Sequence, residues 1–467
     1  MRKGAFLALA LLLVGCGTQP RQVQRPNILF FITDDQRFDM MGVVNTTLQT
    51  PNMDRLAREG TRFENAFVTT PICAASRASL LTGLVERTHR FTFATPPLAA
   101  EFTDRSYPAL LREAGYHTGF IGKLGVDTEP GATETMFDVY VPLRPAPYLK
   151  QLEDGSVRHL TDITADESIE YLRSTATKRP FALTVSFNAP HADDGDERQF
   201  IWPEVMDTLY ADTEIPDPPL SEPAFFDALP EFLKEASLNR VRWYWRFDTR
   251  AKAKEMIRGY FRMISGVDAA MGRILDELEA LGFAENTIVL LMADNGYFLG
   301  ERGYAGKWLP YDLSIRVPLV VYDPRGDDRL RGSTPSLSVL NTDIAPTLLD
   351  LAGVEVPATM QGRSLAPLLA GESPADWRRY FFVEHLFDHA EIPKHEGVRG
   401  ERFKYARYFE QVPVYEELYD LLDDPWETRN LSADPDYREI LEELRRLTSE
   451  LRDEYGGPFV SLREQVP

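Results

Sequence analysis

From residue 26 the chain opens on an unbroken apolar run, Ile28-Leu29-Phe30-Phe31-Ile32, that ends in Thr33-Asp34-Asp35. A run without alternation is a strand buried on both faces, as in a parallel sheet. Similar short runs occur at Thr118 to Ile121, Phe181 to Phe187, Thr287 to Ala293 and Val317 to Tyr322. Helical patterns lie between them. Thr50-Pro51 opens one that Gly60 closes, and Ser106 opens another ending at Gly115, both with capping residues. The clearest spans about Lys254 to Leu281, where Ile257, Tyr260, Ile264, Val267, Met271, Ile274, Leu278 and Leu281 form one apolar stripe, a core-packing face. This alternation predicts an α/β fold, a large and mostly parallel sheet sandwiched by helices, with functional groups at the carboxyl ends of the strands.

Two regions break the alternation. Residues 193–250 are rich in proline and in aromatics, among them Trp202, Phe225, Phe226, Trp243, Tyr244 and Trp245. A stretch this long reads as a lid or binding insertion, its aromatics either stacking on a ligand or packing on the core. From Trp377 to the end, short strand-like runs and a final charged helix predict a smaller C-terminal α+β domain, residues 377–467. The main domain is then 26–376.

Composition narrows the function. The chain has 467 residues, 43% hydrophobic and 26% charged, enough to bury a large core. With 72 acids against 51 bases its net charge is −21, which opposes nucleic acid as a partner. There are two cysteines, too few for a disulfide framework. Cys16 follows Met1-Arg2-Lys3 and an apolar stretch from Ala5 to Val14, an arrangement that resembles a bacterial lipoprotein signal. On that reading residues 1–15 are removed, Cys16 carries lipid, and 16–25 tether the protein to a membrane, periplasmic or at the cell surface.

The chemistry gathers at strand ends. Adjacent carboxylates at Asp34-Asp35 are by themselves either a cation site or an exposed turn. Asp294-Asn295 after a second apolar run favours a shared hard cation, calcium or magnesium. Cys73 stands in Cys73-Ala74-Ala75-Ser76-Arg77, continuing to Leu81-Thr82-Gly83. By residue type alone it is either a reactive thiol beside Arg77 or a small buried residue. The segment resembles the signature of the type I sulfatases, of the alkaline phosphatase superfamily, with Ala75 where proline is commoner. Further matches are Pro26-Asn27-Ile28 with Asp34-Asp35-Gln36, Tyr116 to Lys123, Ser186 to His191, Asp294-Asn295-Gly296 with Gly300-Glu301-Arg302-Gly303 and Lys307, and Glu417-Leu418-Tyr419-Asp420.

The resemblance implies an alkaline phosphatase-like fold and a sulfuric ester hydrolase acting on a sulfated carbohydrate. It implies that a maturation enzyme converts Cys73 to formylglycine. Ca²⁺, with Mg²⁺ as the lesser choice, would be held by Asp34, Asp35, Asp294, Asn295 and residue 73. The hydrated aldehyde would attack sulfur, and its second hydroxyl would let the enzyme-bound ester collapse. Arg77 would orient residue 73, Lys123 and Lys307 would grip sulfate, and Lys307 with His191 would assist departure of the alcohol. Many members carry a histidine two residues beyond the lysine matched by Lys123, where this chain has Gly125. His89 is a candidate replacement. Arg302 stands where a histidine is frequent, which makes it a candidate substrate contact. The alternatives are a phosphate or phosphonate ester hydrolase of the same superfamily and a non-catalytic protein that binds sulfated glycans.

Overall fold

The first apolar run becomes the central strand β1 (Asn27–Thr33), buried at every position. A computed structural model of the chain describes residues 25–93, 96–175, 179–234 and 237–460. The proposed signal segment with Cys16 therefore lies outside the described residues. Beside β1, the main sheet contains β2 (Thr61–Arg62), β3 (His117–Gly122), β4 (Val139–Pro142), β5 (Phe181–Ser186), β6 (Thr287–Ala293) and β7 (Leu319–Tyr322). Their order across the sheet is β2-β7-β6-β1-β5-β3-β4. The strands from β6 to β4 are parallel, whereas β7 runs antiparallel to β6 and to β2.

Both faces are covered. Ile28, Phe30 and Ile32 point into one apolar layer, where α2 (Cys73–Thr82) and α6 (Ile344–Leu351) pack. Leu29 and Phe31 point into the other, with α1 (Pro51–Glu59), α3 (Leu160–Ser174) and α5 (Arg250–Ala280). This two-sided burial is why the strand sequences lack alternation. The stripe along α5 lies in the second layer, as its spacing predicts, except for Leu281, which caps the helix end and is exposed. The expected caps at Thr50 and Ser106 are not formed. The hydroxyl of Thr50 donates to Asp54 Oδ1 at 2.9 Å, and that of Ser106 donates back to the Thr103 carbonyl at 2.6 Å.

Residues 193–250 fold down onto the second layer, where Phe200, Tyr210, Ile215 and Phe247 are buried. The segment ends in α4 (Leu238–Arg246). Beyond it, β8 (Tyr380–His385), β9 (His395–Gly400), β10 (Phe403–Tyr408) and β11 (Tyr415–Asp420) form an antiparallel sheet in sequence order. α7 (Arg438–Tyr455) covers one face of it through Leu441 and Leu444. Buried ion pairs tie this sheet to the rest: Asp312 accepts from Arg399 at 3.0 Å and Lys404 at 2.9 Å, and Arg87 donates to Glu384 and Glu396.

Candidate active site

Four neighbouring parallel strands, β6, β1, β5 and β3, present their carboxyl ends side by side, and the chemistry leaves from those ends. Asp34 and Asp35 follow β1, Lys123 follows β3, the segment carrying His191 follows β5, and Asp294 and Asn295 follow β6. Cys73 joins them as the first residue of α2, and Arg77, one turn on, shares its helix face. Gly83 closes that helix in the left-handed region at φ 70°, so the signature segment is one short helix with both of its ends defined.

The four oxygen donors are buried and wired to cations. Arg77 donates from Nε to Asp294 at 2.6 Å and from Nη1 to Ser186 Oγ at 2.6 Å, and its Nη2 lies 3.5 Å from Asp34. Lys123 binds Asp34, and Lys307 binds Asp35 at 2.5 Å. Asn295 donates to Asp35 at 2.6 Å. Burial pushes Asp34 up, but Lys123, with His191, Lys307 and Arg77, outweighs it and holds the carboxyl far below its ordinary range. Asp294 is instead pushed up, by burial and then by Asp34, against Arg77. Burial works against the charge on both lysines, but Asp34 beside Lys123 and Asp35 beside Lys307 raise them, so both stay protonated.

Three oxygens in this cluster, Asp34 Oδ1, Asp35 Oδ2 and Asn295 Oδ1, are buried without a hydrogen-bond donor among the described residues. Buried acceptors normally find partners. One ligand atom each from Asp34, Cys73 and Asp294 lie within 4.8 Å of one another, as do those of Asp34, Asp35 and His191. Carboxylates gathered this closely suit a hard divalent cation, so the residues present fit a metal ion. Asp35 is held at φ 64°, a conformation costly for a residue with a side chain, and Tyr260 of the α5 stripe donates to its carbonyl at 2.6 Å. That stripe thus packs the core and also fixes the site, a second task that helical spacing does not signal.

Cys73, Lys123, His191 and Lys307 line one cavity of about 550 Å³. His191 donates from Nδ1 to the Ala192 carbonyl at 2.6 Å, which leaves Nε2 facing Asp35 at 3.6 Å. Burial lowers this imidazole, against the pull of Asp35 and Asp34. Lys307 is held from behind, because Asn239 of α4 donates to its carbonyl at 2.7 Å.

Other expected contacts are placed elsewhere. His89 is not among the residues lining the cavity. It is buried against α2, within 3.1 Å of Ser79 Oγ, accepts the Phe91 amide, and burial pushes it down to about 3. The candidate role at His89 is therefore withdrawn. Arg302 turns toward the C-terminal segment, where it donates to the carbonyls of Trp426 and Glu427 and lies over the Tyr311 ring. It is a structural tie rather than a substrate contact. Trp243 and Trp245 also miss the cavity; Trp243 is occupied by Arg240, 3.9 Å above its ring. The aromatic walls come instead from Phe91, Phe93, Trp308 and Phe387, together with His389, and the insertion supplies Leu238 and Arg242. These come from loops far apart in sequence, and no local motif marks them.

Residues 26–354 match the family model described as Sulfatase, and 300–454 match the one described as N-sulphoglucosamine sulphohydrolase, C-terminal. The chain belongs to the sulfatase family. Over 98% of its length, this sulfatase is 30% identical to an N-acetylglucosamine-6-O-sulfatase of Bacteroides thetaiotaomicron, covering 92% of that protein. It is also 30% identical to an arylsulfatase of Clostridium perfringens, over 91% of this chain and 93% of the other. Among solved structures, one of a protein in complex with its substrate D-glucosamine-2-N,6-O-disulfate superposes with a TM-score of 0.78 at 29% identity, covering 92% of this chain and 98% of that one. A phosphonate monoester hydrolase from Silicibacter pomeroyi shares the fold, with a TM-score of 0.77 at 23% identity over 92% and 96%. The chain is thus an enzyme of the sulfate-ester-hydrolysing class, built on the fold its strand pattern predicts.

Proposed function

We propose that this sulfatase removes sulfate from a sulfated carbohydrate, using formylglycine made from Cys73 and Ca²⁺ held by Asp34, Asp35, Asp294, Asn295 and residue 73. The observation that carries this reading is that Cys73, Lys123 and Lys307 line one cavity while the two lysines bind Asp34 and Asp35, whose buried oxygens, with that of Asn295, include three without a donor among the described residues. The relatives named for N-acetylglucosamine 6-sulfate and glucosamine disulfate support a sugar sulfate as substrate. When bound, the cation supplies Lewis-acid polarisation of sulfate, and the modified residue supplies an oxygen nucleophile.

The remaining work falls to side chains already in position. Lys123 and Lys307 carry positive charge into a desolvated site, where they neutralise sulfate oxygens more effectively than in water. Arg77, fixed between Asp294 and Ser186, holds residue 73 on the first turn of α2. Lys307 Nζ keeps its proton beside Asp35 and is the group to deliver one to the departing alcohol, with His191 on the same wall. Export, with lipid on Cys16, belongs to the same reading and places the enzyme in the periplasm or at the cell surface.

The test is mass spectrometry of the peptide containing residue 73, from a host able to mature sulfatases, together with turnover of sulfate and phosphate esters of one alcohol. An aldehyde at residue 73 and preference for the sulfate ester are expected. An unmodified thiol in active enzyme, or preference for the phosphate ester, overturns the assignment. Cys16→Ser should abolish labelling by fatty acid, and labelling that persists would remove the anchor from the reading.

A further inference from the structure

One basic side chain in the Cys73 cavity has no task in the chemistry above. Arg242, on α4 of the 193–250 segment, lines that cavity along with Lys123 and Lys307. Its guanidinium lies over the indole of Trp308, 4.7 Å from the ring centroid, and donates to Asp194. Arg246 shares the same carboxylate and also donates to the Tyr297 hydroxyl at 2.8 Å. Two guanidinium groups on one carboxylate leave an excess positive charge. Arg242 and His191 line the same cavity, so the cluster borders the reaction centre.

The side chain of Arg242 is only 14% exposed, yet its Nε is buried without a hydrogen-bond partner among the described residues. Burying a donor on a charged group costs free energy unless something pairs with it. Arg242 meets Asp194 through Nη2 alone, which leaves Nε over, whereas the single Nζ of Lys123 and of Lys307 is held by Asp34 and Asp35. Most of the remaining lining is apolar, with Leu238, Trp308, Phe387 and Ile392, and Asp127 is the carboxylate among the lining residues. An anion reaching it must therefore ride on a molecule already seated in the cavity. The volume suits a ligand of small-molecule size.

We propose that Arg242 determines specificity by receiving a second anionic group, a further sulfate or a carboxylate, on the saccharide whose sulfate ester is cleaved. The proposal rests on the sulfatase reading and adds to it a substrate class, the multiply charged sugar. A guanidinium suits the task because its planar fork matches sulfate and carboxylate oxygens, and Trp308 and Asp194 hold that fork still.

The experiment compares kcat/KM of the mature enzyme on glucosamine 6-sulfate, on glucosamine-2-N,6-O-disulfate and on a 6-sulfated disaccharide carrying a uronate carboxylate. Wild type should prefer a substrate with the second anion, and the better of the two doubly charged substrates identifies the anion. Arg242→Gln should lower that preference by about tenfold, chiefly through KM, and Arg242→Lys should restore part of it. Thermal melts of both variants show whether the fold is intact. An unchanged preference ratio in Arg242→Gln, or the same loss on all three substrates, overturns the proposal while leaving the sulfatase reading in place. A wild-type enzyme that cleaves no sulfate ester overturns the reading underneath, and the proposal with it.

Discussion

Gly125 stands where the family resemblance leads one to expect a histidine, and its backbone opposes any side chain there. It sits at φ 70°, and a Cβ there would come within 2.9 Å of Arg77 Cδ. The space beside Lys123 is already filled by the arginine that organises Asp34 and Asp294. Gly125→His should therefore lower both activity and thermal stability, at a cost of about 1–3 kcal/mol for the strained backbone. A gain in turnover would show that the pocket accepts an imidazole. Lys307 is a cleaner probe of chemistry. Lys307→Ala should reduce kcat by about 10²–10⁴-fold, the range for loss of a proton donor. A loss confined to KM would reassign it to substrate binding.

At the level of elements, the buried histidines couple stability to pH. His89 packs under α2, while His385 and His395 face each other across the β8–β9 pairing, rings 6.0 Å apart. His395 also donates to the carbonyl of Trp308, so the C-terminal sheet braces a wall of the cavity. Burial pushes His89 and His395 down to about 3 and His385 well below its ordinary value. The unfolded chain takes up these protons near pH 6.5 and the folded one does not. Stability should therefore be intact above pH 6.5 and fall on acidification toward pH 3, by about 1.4 kcal/mol per pH unit for each histidine. Melting temperatures measured between pH 7.5 and 5 check this, and a flat profile would contradict it.

For the whole molecule, the two sheets are joined by buried charge as well as by apolar contact. Asp312 accepts from Arg399 and Lys404 of the antiparallel sheet; burial pushes its carboxyl up, but Arg399 and then Lys404 outweigh burial and hold it below its ordinary range. Asp312→Ala leaves buried Arg399 without its carboxylate, while Lys404 keeps Glu427, and should destabilise the protein by about 3–5 kcal/mol, whereas Asp312→Asn should cost less. Equal melting curves for both variants would rule out that account. Removal of a divalent cation by EDTA should abolish activity and lower the melting temperature, because an ion that binds only the folded state stabilises it by mass action. Undiminished turnover in EDTA would exclude the proposed metal.

The sequence by itself determined the strands and the long helix, because a sheet buried on both faces demands apolar residues at every position. It also determined the floor of the site, whose chemistry requires particular residue types directly after those strands and at the first turn of α2. Only the tertiary structure decided what lines the rest of the cavity. Phe93, Arg242, Trp308 and the Phe387–His389 segment converge from a loop, from α4 and from two further stretches far apart in sequence, and nothing in their local spacing refers to Cys73. It also separated the residues that reach the cavity from those that resemble them in sequence. His89 and Arg302 point away, into a core and toward a backbone, because packing sets side-chain direction and neighbouring residues along the chain do not.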